Sequence, residues 1–94
     1  MQTIAAFLAS VALSGTSYCQ GTITASGHRP YLGEVAGNRW ALGSKLKVSP
    51  PVFGRRNFRV EDRIGWGSDI DFYTPSCSQA LAFGRRTERV TTVH

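Results

Sequence analysis

All three aspartates of the chain fall between positions 62 and 71, as Asp62, Asp69 and Asp71, and Glu61 adjoins the first. The string around them runs Val60-Glu61-Asp62-Arg63-Ile64-Gly65-Trp66-Gly67-Ser68-Asp69-Ile70-Asp71-Phe72-Tyr73. It reads as a strand entering a Gly-rich loop and a strand leaving it. Asp62 and Asp71 then stand at the two ends of the loop and can meet across its mouth. A carboxyl close to another carboxylate keeps its proton to higher pH, as a general acid must. With Trp66 as an aromatic platform, the pair suits gripping a sugar ring and protonating a glycosidic oxygen. The same residues also make turns without any ligand, because Asp side chains bond nearby backbone amides. Glu61 and Asp69 are expected to face outward or to pair with neighbouring arginines.

Other chemistries find less support. Two Cys and two His make a four-ligand zinc site only if all four converge, and no C-x-x-C spacing is present. The chain has no P-loop, dinucleotide fingerprint or H-E-x-x-H motif. No metal and no cofactor are therefore expected. The net charge is +5, carried by Arg55-Arg56, Arg59, Arg63, Arg85-Arg86 and Arg89 among others. Such a face, with Trp40, Trp66 and Tyr31, suits any anionic polymer. No nucleic-acid motif accompanies it, so nucleic acid is not expected; cell-wall glycans bearing carboxylates and phosphates are among the polymers it suits.

These residues must be positioned by one small domain, since the chain has 94 residues. Short strands are expected at 16–19, 22–25, 45–48, 57–61, 70–73 and 89–93, separated by Gly, Pro and Ser punctuation. Lys45-Leu46-Lys47-Val48 alternates polar and apolar, and Ser49-Pro50-Pro51 is read as its stop. One helix is expected over 76–83, with Thr74 or Ser76 as N-cap and Gly84 as terminator. Many short strands suggest a sandwich or a barrel.

The first fifteen residues carry no charge, and their apolar run, Ile4 to Leu13, is too short to span a bilayer. It has the length of a signal-peptide core and is followed by Ser14 and Gly15. Residues 1–15 are therefore read as an export signal and 16–94 as the domain, with no membrane span after processing. A buried element of the fold is the alternative. In an oxidising compartment Cys19 and Cys77 can form a disulfide that staples a small core. The alternatives are two buried thiols, or Cys19 as a nucleophile served by His28.

The order of segments resembles the 3D domain, named for three aspartates, which also forms the catalytic barrel of the membrane-bound lytic transglycosylase A family. The pieces that carry the likeness are Thr16-Ser17-Tyr18-Cys19, Gly21-Thr22-Ile23-Thr24-Ala25-Ser26-Gly27, Gly33-Glu34-Val35-Ala36 and Trp40 to Leu46. Val60-Glu61-Asp62, Asp69-Ile70-Asp71-Phe72-Tyr73 and Ala80 to Arg86 complete it. The resemblance implies a mainly β fold, a six-stranded double-psi β-barrel with one short helix. The family's first aspartate falls near Ala36-Gly37-Asn38, where this chain has none, and the loop from Asp62 to Asp71 is shorter than the family's.

The resemblance further implies a secreted or periplasmic lytic transglycosylase acting on peptidoglycan, with Asp71 as the single acid and base. Asp62 would hold or tune Asp71, while Trp66, Tyr73 and Arg63 would bind substrate. The alternative is a cell-wall binding or architectural module on the same barrel, because fold alone does not fix function.

Overall fold

The computed structural model describes residues 10–65 and 67–93. Six strands, β1 (Ser10–Tyr18), β2 (Glu34–Ala36), β3 (Lys45–Val52), β4 (Arg55–Asp62), β5 (Ile70–Tyr73) and β6 (Arg86–Val93), surround one core. A single helix, α1 (Cys77–Phe83), precedes β6. The strands close into a barrel in the order β1-β5-β2-β4-β3-β6. β1 pairs with β5 and β2 with β4 in parallel, and β2 meets β5 antiparallel between them. Two interleaved parallel pairs in a closed six-stranded sheet are the double-psi arrangement. Closure removes both sheet edges, which a chain this short would otherwise expose.

Alternation fills the interior. Leu46 and Val48 of β3, Phe58 and Val60 of β4, Ile70 and Phe72 of β5 and Val90 of β6 are buried with Leu13, Val35 and Val52. Phe58 and Phe72 meet edge to face at 5.0 Å. Phe83 of α1 packs on Phe72, with centroids 5.8 Å apart, and so attaches the helix to the barrel. Ser76 caps that helix, its hydroxyl accepting from the Gln79 amide. Cys19 and Cys77 form a disulfide across 58 positions, tying the end of β1 to the start of α1. Closing a loop of that length stabilises the fold by roughly 4 kcal/mol in the chain-entropy model.

Four expectations are corrected. The barrel begins within the segment read as a leader: Ser10–Gly15 pair with β6 and Leu13 is in the core. A start at Thr16 would cut β1 in two. Residues 22–25 form a turn, with Thr24 bonded to His28 and Ile23 exposed. β3 continues through Pro50 and Pro51 to Val52. Prolines donate no ladder hydrogen bond, and the β3–β4 register shifts between Lys47 and Val52. The Phe53-Gly54 turn, with φ of 51° and 74°, then reverses the chain as a tight hairpin of the primed type. Lastly, the short strand β2 lies outside the six expected segments.

Candidate active site

Register brings the two aspartates to one level of the barrel. Asp71 pairs laterally with Thr16 on β1 and with Ala36 on β2, and Ala36 pairs onward with Asp62 on β4. The row Thr16, Asp71, Ala36, Asp62 therefore crosses four adjacent strands. Two strand spacings separate the aspartate backbones by about 9.5 Å. Ala36 between them is small and leaves the floor open. Asp62 and Asp71 line one groove of about 340 Å³ with Tyr18, Gln20, Ala36 and Arg63.

The two carboxyls are held differently. Asp71 is partly buried, and Thr16 Oγ1 donates to its Oδ1 at 2.9 Å. The same hydroxyl lies 2.8 Å from Ser68 Oγ. Burial raises the Asp71 pKa; the Thr16 bond opposes this and the negative charge of Asp62 adds to it. Asp62 Oδ1 instead accepts from the backbone amides of Ala25 and Arg63, each at 2.9 Å. That is the turn-building use of an aspartate, and it ties the 19–33 loop to the end of β4.

Glu61 and Asp69 do not pair with arginines. Glu61 gathers Ser26 Oγ, His28 Nε2 and Tyr31 Oη, with His28 nearest at 2.8 Å. Asp69 Oδ2 accepts from the Ser14 amide at 2.9 Å, and its own amide donates to the Ser14 carbonyl. Arg63 lines the groove, but its Nη1 donates to the carbonyls of Gly37 and Trp40, at 2.8 Å each. Tyr73 sits edge to face with Tyr18 at 5.3 Å, next along β5 on the Asp71 face. Trp66 lies outside the described residues.

Asn38 clamps Ile64, which lines the groove after β4. Its Nδ2 donates to the Ile64 carbonyl at 2.7 Å and its Oδ1 accepts from the Ile64 amide at 3.0 Å. A carboxylate accepts only, so this two-way clamp needs the amide. The Trp40 ring covers Gly37 so closely that a Cβ there would lie 2.6 Å from the ring.

Two further residues, Tyr18 lining the groove and Glu34 bonded to it, carry no signal of the site in the sequence. Glu34 is wholly buried; Tyr18 Oη donates to its Oε1 at 3.2 Å, and Oε2 has no partner among the described residues. Burial, opposed by the Tyr18 bond and reinforced by Asp62 and Glu61, pushes its pKa up to about 7. Burial and then the Glu34 charge raise the Tyr18 phenol strongly. A lone Glu in a Gly-Glu-Val-Ala string carries no local signal of burial, and Thr16 lies 55 positions from Asp71. Only the barrel closure joins them.

Among the described residues no group of three His, Cys, Asp or Glu side chains could hold a metal ion. No described helix is long and apolar enough to cross a membrane. Fold and site together define a small disulfide-stapled β-barrel with a carboxylate-lined groove on its outer surface. No family model and no curated protein matches the chain.

Proposed function

We propose that the protein cleaves peptidoglycan as a lytic transglycosylase, with Asp71 as its acid and base. The observation that carries this reading is the Asp71 carboxyl, which faces an open groove with its proton affinity raised by burial. In the protonated form it gives its proton to the glycosidic oxygen as the bond from that oxygen to C1 of the muramic acid ring breaks. The resulting carboxylate takes the proton of the 6-hydroxyl on the same ring. O6 then bonds to C1, and a 1,6-anhydro sugar is released. One carboxyl serves both steps because no water must be activated, whereas glycoside hydrolases usually employ two. Thr16 orients Asp71 through Oδ1, and the charge of Asp62 favours the protonated starting state. Tyr18 and Tyr73 offer apolar ring surface beside the site. An envelope location accords with the disulfide, which persists in oxidising compartments.

The test is digestion of purified sacculi by the wild type and by Asp71→Asn, with mass spectrometry of the products. Anhydro-muropeptides from the wild type alone are the expected result. Equal release by both proteins would remove Asp71 from the reaction.

The absence of the resembled family's first aspartate, near Ala36-Gly37-Asn38, favours a second reading, in which the groove binds wall glycan without cleaving it. That reading predicts sacculus binding with no anhydro product, and no change in binding for Asp71→Asn.

A further inference from the structure

A second groove lies on the β3–β4 side of the barrel and shares no lining residue with the carboxylate groove. It has a volume of about 330 Å³, and Lys45, Arg55 and Arg59 line it with Tyr31, Asn57 and Phe58. All three cations are exposed. The acids of the chain are engaged by other partners, Glu61 in part through Tyr31 at the edge of this groove. Ion pairs among the described residues are His28 with Glu61 and Arg86 with Glu88. Asp62, Asp69 and Asp71 serve backbone amides or Thr16, and Glu34 accepts from Tyr18.

Lys45 stands directly opposite Arg59 in the β3–β4 register. Like charges at opposed positions on one face destabilise a sheet. The fold therefore carries this pair at a cost. Lys47, two positions along the same face of β3, continues the line of charge about 6.7 Å further on. Arg55 lies against Gly33, whose lack of a side chain leaves room for the guanidinium: a Cβ there would come within 3.2 Å of Cζ and Nη2.

We infer that this groove binds an anionic polymer with regularly repeated charges, a phosphodiester-linked polyol of the cell wall. Arginine forks match phosphate oxygens and a lysine supplies a point charge. Cations repeated along a strand suit charges repeated along a chain. Nucleic acid shares the phosphodiester chemistry, but an oxidised Cys19–Cys77 pair favours a compartment where nucleic acid is not the ambient polyanion. The site would retain the protein on the wall, independently of any cleavage at Asp71.

The experiment measures binding of a synthetic glycerol phosphate oligomer to the full chain across a salt series. A single-stranded DNA with the same number of phosphates is the second arm. Lys45→Gln with Arg59→Gln should weaken oligomer binding at least about ten-fold and reduce the salt slope by about 1.4, roughly 0.7 for each lost contact. Arg39→Gln with Arg85→Gln, which removes as much charge outside the groove, should change binding less than two-fold. Lys45→Glu should abolish binding and raise Tm, because it turns an opposed like-charge pair into an ion pair. Equal weakening by the two double variants would overturn the inference, and so would tighter binding of the DNA. Sacculus cleavage stays intact in the groove variants, so failure here is distinguishable from failure of the Asp71 reading.

Discussion

The two ends of the Asp62–Asp71 loop carry the same side chain and use it differently. At the β4 end, Asp62 accepts two backbone amides and fastens the 19–33 loop. At the β5 end, Asp71 is partly buried and receives the Thr16 hydroxyl, and its proton affinity rises. Residue type thus says little about role. The number of amide donors and the loss of water decide whether a carboxyl is a structural anchor or a candidate acid. Ala36, one strand from each, keeps the two apart in contact while leaving them coupled by charge.

The largest effect should come from removing the proton at the β5 end. Asp71→Asn keeps the size of the side chain and can still accept from Thr16. It should lower glycan cleavage by roughly 10²–10⁴-fold, the usual worth of a general acid, with Tm unchanged or higher. Cleavage rates and melts on one preparation check both halves of the statement.

Glu34 extends the comparison to a carboxyl with even less water. Its folded pKa is raised from 4.5 to about 7. A raised carboxyl contributes stability below its unfolded pKa and loses it as pH rises through the folded value. The wild type should therefore lose stability between about pH 4.5 and about pH 7 relative to Glu34→Gln, by on the order of 2–3 kcal/mol. Urea denaturation of both proteins at the two ends of that window measures the difference. Parallel pH profiles would mean that Glu34 is not buried in its ionised form.

Asp62→Ala should act through structure. It strips the acceptor from two exposed amides and should cost about 1 kcal/mol. Hydrogen exchange at Ala25 should quicken, and cleavage should fall far less than in Asp71→Asn. Equal losses of cleavage in the two variants would erase the distinction between the ends of the loop.

Alternation made β3, β4 and β5 legible: Leu46 and Val48, Phe58 and Val60, and Ile70 and Phe72 all face the core. The helix was legible from its cap, since Ser76 is where a hydroxyl must sit. β1 was half hidden because Ser10 to Leu13, which open it, are the end of a stretch with the length and composition of an export signal. Glu34–Ala36 is too short to show a period, and all three of its residues are buried, so it lacks the alternation of a half-buried strand. Thr22-Ile23-Thr24-Ala25 has strand-forming residues, yet the bonds of Thr24 to His28 make a turn of it. At the site, the aspartates were visible in sequence. Their partners were not, because Thr16 reaches Asp71 only through the closed sheet and Ala25 reaches Asp62 only through the folding back of the 19–33 loop.

The most direct test is the titration of the Asp71 carboxyl carbon by NMR, in the wild type and in Asp62→Asn. The Asp71 midpoint should lie above the ordinary value of 3.8 for this side chain and should fall when the neighbouring charge is removed. A midpoint at or below 3.8, unmoved by Asp62→Asn, would contradict the account of Asp71 as the proton-holding end of the loop.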